Sequence, residues 1–161
     1  MPVLYYFVTW ITVTFTQIVI VPRLGVLGIF PDVLTAVVVL IALRHERLTS
    51  VWLAFALAIS VDLLDPQKMG WMTLLISIMA YCVGIVRDTI YIDNPWFEAT
   101  MILLATFLYQ LAYRFFPEPQ FFLDNLPKMM AVSFFIAVYT VAVASLGVWI
   151  LRQRFNFREV L

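Results

Sequence analysis

The sequence predicts an all-α polytopic membrane protein that forms one integral membrane domain over residues 1–161. Hydrophobic residues make up 64% of the chain and charged residues 12%, and the mean hydropathy is +0.99. A soluble globular domain is about 45–50% apolar and about a quarter charged. A soluble fold of this length could not bury so much apolar surface, so the expected solvent is lipid.

Six transmembrane helices are predicted, the second of them short or broken. Crossing the hydrocarbon core takes about 20 apolar residues, and five segments reach or approach that length: 3–21, 48–64, 69–86, 96–116 and 126–151. The second span in chain order, 26–43, contains an apolar run from Val33 that is too short alone. Gly25, Gly28 and Pro31 disfavour a straight helix before it. If the segment before Val33 enters the membrane, its irregular backbone must be buried in protein or face water.

The first span is expected to be retained, because it is longer than the apolar region of a secretory signal and has no basic segment before it. The basic residues of the connections indicate the orientation. One side collects Arg44, Arg47, Arg87, Arg152, Arg154 and Arg158, and the other collects Arg23, Lys68, Arg114 and Lys128. This bias favours both termini in the cytoplasm.

No catalytic, metal-binding or cofactor-binding residue is predicted. Ten basic and ten acidic residues cancel, so there is no net field to attract nucleic acid. The sequence contains no phosphate-binding loop, no HExxH zinc motif, no Cys/His metal set and no serine nucleophile elbow. We therefore expect a protein that is not an enzyme.

Five polar residues are predicted at one depth, in the outer half of the bilayer or at its outer interface. Gln17 lies late in the first span, Asp32 opens the second, and Asp62 ends the third. Gln110 and Arg114 lie late in the fifth span. We expect these five side chains to face a partner or a pocket.

Asp62 shares a helical face with Ala54 and Ala58, and small residues at this spacing let helices approach closely. Because a charge facing lipid costs several kcal/mol, Asp62 is expected to point towards another helix. Its role is open between a structural polar contact and a contact with a partner or ligand. We expect Asp62→Ala to weaken partner assembly. A second small-residue stripe is predicted on the fourth span, at Ser77, Ala80 and Gly84.

The other polar residues also have structural interpretations. Asp32 follows Pro31, and an acid at the first turn of a helix complements the helix dipole. Gln110 is expected to form an interhelical hydrogen bond, and the side chain of Arg114 to extend to the interface. The loop FPEPQFFLDNLP, residues 116–127, either lies along the outer interface or docks a partner.

Part of the chain resembles the MreD family of rod shape-determining proteins. FPDVLTAVVVLIALR is similar to the segment with which that family begins its second span, SVWLAFALAISVDLLDPQKMGWMTLLISIMAYCVGIVRD resembles the next two spans, and TFLYQLAYRFF resembles a later helix. The matching positions are Pro31, Asp32, Arg44, Asp62, Gly70, Gly84, Arg87 and Gln110. The chain departs from the family at Ala56 and Ala58, where glycines are expected, and at Thr73, where asparagine is frequent.

The resemblance implies a multi-pass subunit of the bacterial inner membrane that binds MreC, a single-span protein with a large outer domain. Through MreC it would act on the glycan polymerase and transpeptidase that build the side wall of rod-shaped cells. The implied fold is similar to that of the substrate-binding subunits of energy-coupling factor transporters. A substrate-binding subunit for a vitamin or a lipid-linked precursor is therefore the alternative function. A proton- or ion-coupled transporter would need more charges near mid-membrane.

Overall fold

A computed structural model describes residues 10–23, 25, 29–64, 70–89, 94–117 and 119–154, with side chains up to Trp149. All elements in this part of the chain are helical. The predicted start of the first span at residues 3–9 lies outside the described residues. So do Lys68 and Arg158, which entered the prediction of orientation.

The first described helix, α1 (residues 10–15), ends in irregular helical turns. A π-helical turn, Thr16–Ile20, is followed by a 3₁₀ turn, Val21–Arg23. Pro22 has no N–H group and disfavours a continuous α-helix here. The indole nitrogen of Trp10 donates to the Ala56 carbonyl at 3.1 Å and to Ser60 Oγ at 3.0 Å, which joins α1 to the third helix.

The second helix, α2 (Val33–Arg44), is short and central. Its 12 residues span about 18 Å at about 1.5 Å per residue, well under the roughly 30 Å of a hydrocarbon core. This agrees with the prediction of a short second span. Buried residues lie all around the helix: Leu34, Thr35, Ala36, Val38, Val39, Ala42 and Leu43. A helix that is apolar on every side is surrounded by other helices, and α2 packs against α3, α4, α5 and α7.

The remaining long helices begin and end within three residues of the predicted spans. They are α3 (Arg47–Asp62), α4 (Trp71–Thr89), α5 (Pro95–Phe115) and α7 (Leu126–Arg154). A short helix, α6 (Pro119–Asp124), lies in the segment that the sequence analysis treated as a loop. Its Phe122 is buried against Phe115, with ring centroids 5.5 Å apart.

Two described helices are long and apolar enough to cross a membrane: α4 and the segment Leu126–Trp149 of α7. The 16 residues of α3 and the 12 of α2 are fewer, and α5 carries Glu98, Gln110 and Arg114. The structure thus establishes an all-helical fold with two candidate spans. Six membrane crossings stay a prediction.

Small residues bring α3 and α4 together along the most extensive helix pair of the bundle. Ala54, Ala58 and Ala80 are fully buried. Gly84 is also buried, and a β-carbon on it would lie 2.9 Å from Cγ of Arg47. Ser77 is partly buried and donates to the Thr73 carbonyl on its own helix at 2.7 Å. The predicted stripes therefore lie in the interior.

We expect Gly84→Ala to lower the thermal unfolding midpoint in detergent. Alanine gains about 1 kcal/mol over glycine in a helix interior, but the added methyl group would displace Arg47. Gly147→Ala is the matched control, because a β-carbon there has no atom within 4 Å, and this variant should raise the midpoint. Equal stabilisation by both substitutions would refute close packing at Gly84.

Candidate functional site

Asp32 caps the N-terminus of α2 inside the bundle. Its Oδ1 accepts a hydrogen bond from the Thr35 backbone N–H at 3.0 Å, and the residue is 6% exposed. The first N–H groups of a helix have no partner within the helix, and an N-cap aspartate supplies one. The Asp32 carboxylate therefore stabilises the first turn of α2.

Three further hydrogen bonds tie the start of α2 to other helices. Asp32 Oδ2 accepts from Nε2 of Gln110 on α5 at 3.0 Å, and the Asp32 N–H donates to Oγ1 of Thr140 on α7 at 2.8 Å. The Leu34 N–H donates to Oε1 of Gln17, in the π-helical turn after α1, at 3.2 Å. We call Gln17, Asp32, Gln110 and Thr140 the Asp32 cluster.

The Asp32 cluster lies beside the middle of α7. Thr140 is near the middle of the 24-residue apolar segment Leu126–Trp149, and its Oγ1 accepts the hydrogen bond from the Asp32 backbone N–H. The location of Asp32 in the outer half of the bilayer or at its outer interface stays a prediction. Because α2 is short, the chain enters the bundle before the helix begins, so the N-terminus of α2 lies beside the middle of α7.

Asp62 has an equivalent role at the start of α4. Its Oδ2 accepts from the Gly70 N–H at 3.0 Å, from the Thr73 N–H at 2.8 Å and from Thr73 Oγ1 at 2.6 Å. The side chain is 4% exposed, and Gly70 has a φ of +88°, a backbone conformation that favours glycine. Through these contacts, Asp62 links the end of α3 to the start of α4.

The five predicted site residues thus form one group of three and two separate residues. Gln17, Asp32 and Gln110 belong to the Asp32 cluster, whereas Asp62 binds the start of α4. Arg114 contacts Met129 on α7, with 3.8 Å between Nη1 and Sδ. Tyr109 is buried in the apolar core, in the cluster that contains Leu34 and Ala58.

An ionic group occupies the opposite end of the bundle. Its ion pairs are Arg44–Glu98 at 3.4 Å, Arg47–Asp88 at 2.5 Å and Arg87–Asp88 at 2.7 Å. Arg87 also donates to the His45 carbonyl in the connection between α2 and α3. Exposed ion pairs contribute about 0–1 kcal/mol each, so this group orients the helix ends more than it stabilises the fold.

Thr140 of the Asp32 cluster was not predicted from the sequence. A single threonine in an apolar run carries little signal, but Thr140 follows Ser133 by seven residues, which places both on one face of α7. Both are buried. Similarly, Thr106 precedes Gln110 by four residues on α5 and is fully buried. Polar residues at helical spacing within apolar runs were the available indication of a polar interior.

Two apolar grooves on the bundle are lined by residues that the structure describes. One of about 380 Å³ runs between α4 and α5 and is lined by Cys82, Ala105 and Tyr109 among others. The other, of about 210 Å³, lies between α5, α7 and the end of α2, with Glu98 in its lining. Asp32 and Asp62 line neither groove. Among the described residues, no three His, Cys, Asp or Glu side chains are grouped so as to hold a metal ion.

Asp62→Ala should destabilise the protein by about 1–2 kcal/mol, because it removes the acceptor at the start of α4 and leaves the buried donors of Thr73 unpaired. Asp62→Asn, which keeps one carbonyl oxygen, should cost less. Chemical denaturation in detergent, followed by far-ultraviolet circular dichroism, measures both. Equal stability of the wild type and Asp62→Ala would contradict the capping role.

The Asp32–Gln110 contact should give a coupling free energy of about 0.6–1.7 kcal/mol, the range found for polar contacts between membrane helices. The measurement is a double-mutant cycle of unfolding free energies with Asp32→Ala and Gln110→Ala. Asp62→Ala combined with Gln110→Ala is the control, and its effects should add. Additive effects in both cycles would mean that Gln110 does not stabilise Asp32.

The candidate site therefore consists of two buried carboxylates that accept hydrogen bonds at the starts of helices: Asp32 at the start of α2, and Asp62, the last residue of α3, at the start of α4. No protein-family model, curated protein or solved structure matches this chain.

Proposed function

We propose that the chain is a non-enzymatic subunit of the bacterial elongation machinery, as its resemblance to the MreD family implies. In this proposal it crosses the inner membrane six times with both termini in the cytoplasm. It binds a single-span, MreC-like protein and so supports regulated side-wall peptidoglycan synthesis and rod cell shape. The glycan polymerase and transpeptidase are indirect partners.

The outer surface of the helices supports the membrane location. Large apolar side chains are exposed on several helices, among them Leu48 at 70%, Trp52 at 66%, Leu108 at 62% and Phe135 at 57%. Soluble monomers rarely expose continuous apolar patches larger than a few hundred Å². Lipid would cover these side chains on α3, α5 and α7, including helices that are shorter than an ideal span.

The observation that carries the family assignment is the hydrogen bond between Asp32 and Gln110. These residues are 78 positions apart and belong to two separate segments of the resemblance. Other matching positions also make contacts that suit their residue type: Asp62 caps α4, Gly70 has a positive φ, and Gly84 leaves no room for a β-carbon. Several positions of the resemblance thus make contacts that hold these helices together, which supports the proposal.

The same contacts favour an assembly role over the alternative of a substrate-binding subunit. A ligand pocket is expected to combine an apolar lining with a few polar groups that orient the ligand. Here Asp32 and Asp62 are bonded within the fold, and they line neither groove. The carboxylates therefore hold helices in position, and the bundle offers a partner a stable surface.

Purification from native membranes in mild detergent should recover a single-span partner in stoichiometric amount. We expect Asp62→Ala to lower that recovery severalfold at equal expression and unchanged membrane insertion, because the start of α4 loses its acceptor. Asp88→Ala, which removes an exposed carboxylate in the ionic group at the other end of the bundle, is the control and should retain the partner.

Three results would count against the proposal. The first is the absence of a single-span partner from the purified wild type. The second is equal partner recovery with Asp62→Ala and wild type, which would remove Asp62 from assembly. The third is a retained small molecule without a protein partner, which would favour the substrate-binding alternative.

A further inference from the structure

A stripe of exposed apolar side chains runs along α4, one of the two described helices that are long and apolar enough to cross a membrane. Its members recur at steps of three or four residues, which places them on one helical face, and each is 42–53% exposed: Leu74, Ile78, Tyr81 and Ile85. From the first to the last of them the helix rises about 16 Å. This length matches half of a hydrocarbon core that is about 30 Å thick, as one leaflet would require.

The stripe ends beside two guanidinium groups that share one carboxylate. Asp88 follows Ile85 by three residues on the same face of α4. Its carboxylate pairs with Arg47 at 2.5 Å and with Arg87 at 2.7 Å. These three charged groups together carry one net positive charge, at the end of a helix that is a candidate span.

The neighbouring charges are not part of this group of three. Arg44 pairs with Glu98 on α5 at 3.4 Å. Glu46 is exposed, and none of the ion pairs among the described residues includes it. The described hydrogen bond to Asp88 engages one of the five N–H donors of Arg47, and the Arg47 side chain is 38% exposed. Arg47 can therefore donate to a second anion.

The side chain of Arg47 joins the charged groups to the apolar stripe. Its stem passes α4 at Gly84, where a β-carbon would lie 2.9 Å from Cγ of Arg47. The guanidinium carbon then lies 5.5 Å from the centre of the Tyr81 ring, in a cation–π contact. Because Tyr81 belongs to the stripe, the charged and apolar parts form one continuous surface.

We propose that this surface binds one anionic phospholipid, and we name it the α4 lipid site. An acyl chain lies along the stripe from Ile85 towards Leu74, and the phosphate accepts hydrogen bonds from Arg47 beside the charge of Arg87. A guanidinium matches the geometry of a phosphate, and basic groups between membrane helices bind anionic headgroups. The inference rests on the membrane location in the proposed function and adds a lipid ligand to it.

Competition between two lipids tests the α4 lipid site. The full-length protein in detergent is mixed with equal amounts of phosphatidylglycerol and phosphatidylcholine that have the same acyl chains, and retained lipid is measured by native mass spectrometry. Wild type should retain phosphatidylglycerol at least fivefold over phosphatidylcholine, and Arg47→Gln should abolish this preference. Arg44→Gln is the matched control, because Arg44 has similar exposure but pairs with Glu98, and it should keep the preference.

Two variants at Tyr81 test the junction between charge and stripe. Tyr81→Ala removes the ring below Arg47 and should lower phosphatidylglycerol retention severalfold. Tyr81→Phe keeps the ring and should retain most of the lipid. The unfolding midpoint in detergent checks that all variants are folded. Equal retention by wild type and folded Tyr81→Ala would remove the stripe from the site and overturn the proposal.

Other outcomes would also overturn the α4 lipid site. Equal retention of the two lipids by wild type would mean an unselective lipid contact. Equal loss of preference in Arg44→Gln and Arg47→Gln would mean a diffuse attraction to the whole ionic group. Displacement of the lipid by an equal concentration of glycerol 3-phosphate would mean a site for a free anion. Loss of the protein partner with Arg47→Gln, without lipid preference in wild type, would mean a protein contact.

The lipid result and the partner result are separable. If phosphatidylglycerol is preferred and no single-span partner co-purifies, the α4 lipid site stands and the assembly role fails. If the partner co-purifies and neither lipid is preferred, the assembly role stands and the α4 lipid site fails. Recovery of the protein outside the membrane fraction would refute both.

Discussion

The fold depends on the start of α2, a helix that begins inside the bundle. Its first N–H groups lie where water is excluded, so side chains must bond them. Asp32 bonds the Thr35 N–H, and Gln17 bonds the Leu34 N–H. The carboxylate in turn needs donors, and the amide of Gln110 supplies one. Each of these bonds joins α2 to another element or orders its first turn, so a 12-residue helix organises the polar interior.

The same solution recurs at α4, where Asp62 binds the N–H groups of Gly70 and Thr73. An aspartate carboxylate thus accepts hydrogen bonds at the start of both helices. The Asp32 cluster links α2 to α5 and α7, and Asp62 links α3 to α4. At the other end of the bundle, exposed ion pairs orient the connection between α2 and α3.

Much of this arrangement could be predicted from sequence. The lengths of the apolar segments, and the glycines and prolines between them, predicted the helices and the short α2. The positions of Gln17, Asp32 and Gln110 within their spans predicted that these three residues converge. Other features depend on tertiary packing and left little local trace. Thr140 is one hydroxyl in an apolar run, and its bond to Asp32 follows from the depth at which α2 starts. Asp62 and Gln110 were predicted at the same depth, but a shared depth does not specify which residue each side chain contacts. The helix α6 forms where Phe122 can be buried, which residues 116–127 alone do not reveal.

In the proposed membrane location, the bond between the Asp32 N–H and Thr140 places the start of α2 near the middle of the bilayer. The most direct test is electron paramagnetic resonance of a nitroxide at Val138→Cys, in a Cys82→Ser background, in lipid bilayers. Val138 is two residues from Thr140 and is 42% exposed on α7, so its label reports the depth of Asp32. We expect high accessibility to oxygen and low accessibility to a water-soluble nickel complex, as at the bilayer centre. Strong relaxation by the nickel complex would place Val138 in water or at the interface, and α2 would then not begin near the bilayer centre.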